Sequence, residues 1–375
     1  MSGQRRPAGL RIGNVFGVPV FLSASWLLLA ALVVYAYGGI VSDHLPELGT
    51  LAAYGIALVF VFLLLLSVLL HELGHALVCR RFGIGVRGIT LELLGGYTEM
   101  ESEAPSPKAE FLVAAAGPAI SAVLGGGGLV WLLSTDPNTV GRELAFQVAV
   151  SNLLVAVFNM LPGLPLDGGR VLRAMVWGFS RDQHLGTIAA GWTGRVIAIA
   201  VAAVAAFGVA TGWLTLFGAL FTGFVVLVLW TGASSSIRAG GVMRRVPAID
   251  LRALTRPLAA VPSGTPLSEA LRQAAAVQAG GIVITDSSGT PIALVRWPAA
   301  LAVPAERRPW LTAENVARDI AGVQRLSIGM DGAAVAAVVR ANPAGEYLVT
   351  DGQDVMGVLR TEDLAAMLEP RRQRK

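Results

Sequence analysis

Long apolar runs dominate the chain as far as Trp230, broken at intervals by short polar and glycine-rich stretches. The runs are Val18–Tyr37, Leu51–Val78, Phe111–Leu133, Leu144–Met160, Val196–Thr211 and Trp213–Trp230. A helix that crosses a hydrocarbon core of about 30 Å needs about 20 residues. The first three runs meet that length. The fourth is short unless it takes in Glu143 or continues through Leu161–Leu166. The last two are separated by Gly212 alone, so the turn between them falls near Ala210–Trp213. Six spans are expected, with four or five as the open alternatives.

Two other patterns stand out. Between the second and third runs, Val86–Met100 is rich in β-branched and alternating residues and holds the pair Gly95-Gly96. It reads as a small sheet or hairpin. An exposed strand edge there would let a substrate add as a further strand; the alternative is a hairpin with no substrate role. From Gly241 onward, strand-plus-turn segments such as Gly281–Asp286 and Tyr347–Gly352 alternate with helical stretches at Leu267–Ala276 and Glu362–Leu368. Residues Ile284–Arg296 align with Val349–Arg360 across a one-residue gap. That repeat predicts two copies of a small α/β unit packed together, at about 243–305 and 311–369, within a domain of 241–369. A single α/β domain is the other reading. A membrane domain of 1–235 precedes it and a basic tail of 370–375 follows.

Composition agrees with this division. Of 375 residues, 54% are hydrophobic and only 14% charged, against about a quarter charged in ordinary soluble domains. The net charge of +4 is spread between apolar blocks and at the tail rather than gathered in one patch, which argues against a nucleic-acid partner. With a cytosolic N-terminus, the inner loops carry Arg80, Arg81, Arg87 and Lys108, then Arg170, Arg173, Arg181 and Arg195. The outer loops keep only Arg142 beside Asp43, His44, Glu47 and Asp136. This asymmetry predicts a multi-pass plasma-membrane protein with both termini in the cytosol. Arg5, Arg6 and Arg11 precede the first run without a small-residue cleavage site, so a retained span is expected. Cys79 is the sole cysteine, which excludes an intrachain disulfide and a Cys-rich metal site.

The candidate chemistry lies at the end of the second run. In His71-Glu72-Leu73-Gly74-His75 the histidines are four residues apart, so a helix presents both rings on one side, where they can grip one Zn²⁺. Glu72 is placed to accept a proton from a water that the metal activates. Ionisable groups at a membrane span are costly without a function. Asp167 is the expected further ligand, because the second and fourth spans both run inward and bring Asp167 to the depth of His75. Gly168 and Gly169 permit close approach there. Glu92, Glu99, Glu101, Glu103 and Glu110 are the competing carboxylates, and His44 and His184 read as surface residues. Pro162 and Pro165 break the chain after Asn159, a break tolerated where it lines a cavity. The Asn159 amide is suited either to an oxyanion or to capping the loop. Beyond these groups no further polar path through the spans is evident.

Together these residues resemble the site-2 protease family of intramembrane metalloproteases, in the bacterial and archaeal branch with C-terminal CBS domains. The likeness covers nearly the whole chain: His71–Ala76, Asn159 with Pro162 through Gly168, Ala116-Gly117-Pro118 and the Gly95-Gly96 region. It implies a polytopic α-helical membrane domain of about six spans with a small cytosolic sheet insertion, followed by an α/β tandem CBS-like domain. It also implies His71, His75 and Asp167 as zinc ligands, Glu72 as general base and Asn159 as a donor to the oxyanion or substrate. The implied substrates are single-span membrane proteins or peptides, such as anti-sigma factors or signal-peptide remnants. No PDZ-like insertion is visible, a departure that leaves substrate selection unassigned. CBS pairs resemble this repeat and bind adenine nucleotides elsewhere. Asp363, in Gly357–Asp363, is the candidate ribose ligand, although Arg360 stands in the hydroxyl position and the first copy lacks the aspartate. Homodimerisation through the pair is the other implied partner interaction. A CBS-regulated membrane transporter or scaffold, with zinc structural or transported, remains the alternative from a different class.

Overall fold

The structure, a computed structural model, describes residues 9–93, 95–352 and 354–368. Arg5, Arg6 and the basic tail at 370–375 lie outside the described residues. The chain divides after Gly240 into two compact units.

The first unit opens with β1 (Leu10–Val15) and β2 (Val18–Leu22), followed by α1 (Ala24–His44) and α2 (Gly49–Arg81). Next come β3 (Val86–Glu92), β4 (Gly95–Met100), α3 (Pro107–Leu133), α4 (Val140–Asn159), α5 (Asp167–Ser180), α6 (Gln183–Ala210) and α7 (Leu216–Arg245). Among the described residues, six helices are long and apolar enough to cross a membrane, as the sequence leads one to expect. The fourth reaches the required length by taking in Glu143. The turn before α7 falls within residues 211–215.

The first span differs from expectation. Val18–Leu22 is a strand, and the helix starts only at Ala24, where Ser23 caps it by accepting from the Ser25 amide. Val18 and Val20 are buried against Val68, Leu73, Ile89 and Leu91, so they belong to the sheet's core rather than to a lipid-facing helix. The Val86–Met100 hairpin is present, but it forms half of a four-stranded sheet of order β1-β2-β3-β4. β2 runs parallel to β3, with Val20 opposite Ile89, and β4 is an outer edge.

Close helix packing depends on glycine. A Cβ at Gly128 of α3 would lie 2.7 Å from the Ala149 amide of α4, and one at Gly74 of α2 would lie 2.6 Å from Ile120 of α3. Small residues at such positions let helices meet in a bilayer, where apolar burial alone gives no drive. The loop of residues 160–166 is wedged in the same way. The Leu164 amide donates to the Ala190 carbonyl of α6 at 2.9 Å. A Cβ at Gly169 would collide with Gly163 and Leu164, and one at Gly194 with the Leu164 carbonyl. This loop thereby holds the start of α5 in place.

The second unit repeats one pattern. After the short α8 (Leu251–Leu254), the first copy runs β5 (Leu258–Pro262), α9 (Leu267–Ala276), β6 (Gly281–Thr285), β7 (Pro291–Val295) and α10 (Trp297–Ala302). β8 (Ala317–Asp319) extends its sheet. The second copy runs β9 (Arg325–Ser327), α11 (Gly332–Ala341), β10 (Glu346–Asp351), β11 (Asp354–Arg360) and α12 (Thr361–Leu368). In both copies the first strand lies parallel to the second and the second antiparallel to the third. This is the tandem α/β arrangement expected of a CBS-like pair. Each copy has its own apolar core, and Leu294, Val323 and Leu348 join them.

The wedge of glycines predicts a local stability cost. Gly194→Leu should overpack the loop against α6 by about 1–3 kcal/mol, read as a lower unfolding temperature of the purified protein. Substitution at Gly126, which has open space around it, should leave that temperature nearly unchanged.

Candidate metal centre

His71 and His75 stand one turn apart on α2, so both rings leave the same face of the helix, and both are buried. Asp167, the first residue of α5, meets them from the other side. Its Oδ2 lies 3.2 Å from Nε2 of His71 and 3.2 Å from Nε2 of His75. The two Nε2 atoms are themselves 3.2 Å apart, which closes an equilateral triangle. Among the described residues these three form the one grouping suited to a metal ion.

Proton accounting decides what the triangle is. His75 Nδ1 lies 2.7 Å from the Val113 carbonyl, which can only accept, so that nitrogen carries the proton. Nε2 of the neutral ring then presents a lone pair. His71 Nδ1 lies 2.9 Å from Ser121 Oγ. With that nitrogen donating to the hydroxyl, the second Nε2 presents a lone pair as well. Two imidazole lone pairs and a carboxylate oxygen therefore converge, an arrangement that repels unless a cation sits among them. Zinc bonds of about 2.0–2.2 Å in tetrahedral geometry put ligand atoms roughly 3.3 Å apart, which matches the observed edges. Two imidazoles and one carboxylate are a donor set suited to zinc, and three protein ligands leave a position open for chemistry. The outer N–H of each ring on a fixed acceptor is also what orients ligating histidines.

Helix α3 makes the space. A Cβ on Gly117 would collide with Nε2 of both rings, so only glycine lets α3 lie against the ligating atoms. Glu72 is buried beside His71. Thr98 Oγ1 of β4 lies 2.8 Å from Glu72 Oε2 and 3.1 Å from the Glu72 carbonyl. A Cβ on Gly96 would come within 2.7 Å of Glu72 Cγ. The outer strand of the sheet therefore backs the glutamate directly.

The remaining candidates fall in different places. Asn159 is the last residue of α4 and is partly buried, and its amide has no hydrogen-bond partner among the described residues. Of the five competing glutamates, three are engaged elsewhere: Glu99 with Arg87, Glu103 with Gln183, and Glu110 with Arg170 and Arg173; Glu92 and Glu101 do not join the grouping of His71, His75 and Asp167. His44 is exposed and lies 3.5 Å from Glu143. Cys79 is one turn beyond His75 on α2 but is buried among Ile84, Ala104, Ala109 and Val113. In the second unit both carboxylate oxygens of Asp363 accept from Arg256, at 2.7 and 2.5 Å. Arg360 donates to the Gly280 carbonyl and stacks over Trp297.

Sequence reasoning missed Ser121, Thr98 and Val113 at this centre and placed Glu110 only among the competing ligands. It also missed further polar residues in the spans. Asn152 donates to Ser67 at 3.1 Å, and with Ser121 and Ser151 they line a small cavity. None of these carries a motif; each matters only because of what the fold places opposite it.

Comparison with known proteins bears on the same region. The model of peptidase family M50 matches residues 59–148 and 138–203. The protein sll0528 of Synechocystis, whose name assigns it provisionally to the zinc metalloproteases, is 34% identical over 248 residues, covering 66% of this chain and 65% of the relative. The chain thus spans just under two thirds of that relative's length. The solved site-2 protease from Methanocaldococcus jannaschii is 25% identical, with a TM-score of 0.43, over 61% of this chain and 94% of that one. The CBS domain of a bacterial CNNM/CorC family Mg²⁺ transporter aligns with 39% of this chain and 94% of its own at 13% identity, with a TM-score of 0.28.

Two substitutions test the geometry without touching a ligand. Ser121→Ala removes the acceptor of His71 and should weaken zinc binding about 10–100-fold, measured by competition with a chromophoric chelator. Gly117→Ala should lower zinc content further, because its methyl group occupies the space at the two Nε2 atoms.

Proposed function

We propose that this chain, whose residues 59–148 and 138–203 match the model of peptidase family M50, is an intramembrane zinc metalloendopeptidase. The observation that carries the proposal is the 3.2 Å triangle of Nε2, Nε2 and Oδ2 at a membrane helix. His71, His75 and Asp167 hold the zinc ion. When bound, zinc supplies Lewis acidity, bringing a water within reach of deprotonation at neutral pH and polarising a carbonyl.

The chain's own groups then divide the work. Glu72 takes the proton of the attacking water and returns it to the nitrogen of the departing amine, so one water is consumed per peptide bond. Thr98 holds Oε2 of Glu72, which leaves Oε1 to exchange the proton. Asn159 has an uncommitted amide to donate to the developing oxyanion. The outer edge of β4 offers main-chain groups to an extended substrate segment. Helical peptide bonds are shielded, so a membrane-spanning substrate must be unwound, and pairing with an edge strand holds it in that state.

The substrates in this reading are single-span membrane proteins or peptides, of the kind cleaved in regulated proteolysis, such as anti-sigma factors or signal-peptide remnants. The protein sits in the plasma membrane with both termini in the cytosol, an orientation supported by the arginine-rich inner loops. The peptidase domain comprises residues 1–235 and the regulatory pair residues 241–369. Self-association through that pair is the favoured partner interaction. An adenine nucleotide seeking Asp363 would have to displace Arg256. Zinc as transported cargo is disfavoured because the outer nitrogen of each histidine is locked by a buried partner, an arrangement that retains an ion.

Glu72→Gln should leave zinc content unchanged while lowering cleavage by at least about 10²-fold. Membranes carrying that variant should accumulate a protein that membranes with the active form lack. Undiminished cleavage by Glu72→Gln would refute the mechanism.

A further inference from the structure

Four residues of α3 form one stripe: Glu110, Val113, Gly117 and Ser121, spaced three, four and four apart. The last three already have partners at the metal centre. Val113 holds His75, Gly117 faces both rings, and Ser121 holds His71. Glu110 is fully buried and points at α5. Its Oε1 accepts from Arg170 Nε at 3.0 Å and forms an ion pair with Arg173 Nη2 at 2.6 Å. Arg170 is three residues beyond Asp167, one turn along α5, and its other end reaches Met100 Sδ on β4 at 3.7 Å.

We infer that Glu110 is the positioning residue for the Asp167 ligand, pinning α5 to α3 through Arg170 and Arg173. Stability alone is a poor reason for such a group. A buried carboxylate between guanidiniums holds helices together no better than apolar side chains of the same volume. Here the polar satisfaction is incomplete as well, since Glu110 Oε2 and Arg173 Nε have no hydrogen-bond partner among the described residues. What the ion pairs add is direction: two guanidiniums one turn apart on α5, paired with one carboxylate, fix both its rotation and its depth against α3. Asp167, at the very start of that helix, has no other residue of α5 before it to set its position. The loop preceding it, held by the Leu164 amide on the Ala190 carbonyl and by glycine contacts, sets where α5 begins and leaves its rotation to the ion pairs. One face of α3 thus sets all three ligands, each through a different kind of contact.

This inference rests on the metal-centre reading, and its test separates the two. Zinc affinity is measured on the full chain for the wild type, E110Q, D167A and the double variant, with S121A and S121A/D167A alongside. E110Q should weaken zinc binding about 10–100-fold when Asp167 is present and have no effect when it is absent. S121A acts on His71 and should weaken binding in both backgrounds. With cobalt in place of zinc, the visible spectrum of E110Q should move toward that of D167A. An E110Q loss of equal size in both backgrounds, or no loss at all, overturns the role of Glu110 and leaves the metal centre standing. A wild-type chain that binds no zinc overturns both. Should E110Q fail to fold, R173Q, which keeps the Arg170 pair, enters the same cycle with the same outcomes.

Discussion

Three lone pairs aimed at one point are the constraint on which the first unit is built. Each edge of the triangle is 3.2 Å, too close for unprotonated acceptors to tolerate unless positive charge lies among them. Meeting that demand requires two helices that are distant in sequence to present their ends at one depth. It also requires a third helix smooth enough to lie against the ligating atoms. The close helix contacts at Gly74 and Gly117, and the wedged loop before α5, are consequences of that requirement. The sheet serves it as well, since its outer strand supplies the hydroxyl that steadies Glu72.

Much of this was legible in the sequence, for identifiable reasons. His71 and His75 are local: four residues on a helix determine their common face whatever else the chain does. Asp167 was reachable by counting spans, because membrane thickness ties position along the chain to depth. The repeat in the second unit showed itself through self-similarity, and both copies have the same strand order. The N-terminal strands were hidden because Val18–Leu22 runs straight into the apolar start of α1. A short apolar run does not reveal whether it is strand or helix. Ser121 and Thr98 were illegible for another reason, and Glu110 was legible only as a competing ligand. Each has an ordinary neighbourhood in sequence and acquires its role only from a partner at least 26 residues away.

The second unit makes a complementary point. Asp363 was singled out because its place in the repeat suits a ribose, yet the structure gives its carboxylate to Arg256. Motif position identifies where a ligand group would stand, while the neighbouring arginine decides whether it is available. Arg360 is similarly committed, to a carbonyl on one side and an indole on the other. The repeat thus survives in the fold while the two side chains that its pattern singles out are turned to internal contacts.

The metal centre is made of nitrogen and oxygen alone, and the chain's only thiol is sealed in apolar packing one turn below it. Oxidants inactivate many zinc sites by converting coordinating thiolates to disulfides or sulfur acids, releasing the ion. None of the three ligating side chains offers them a thiolate. In the proposed peptidase, retention of the ion would therefore not depend on the thiol redox state of the cell.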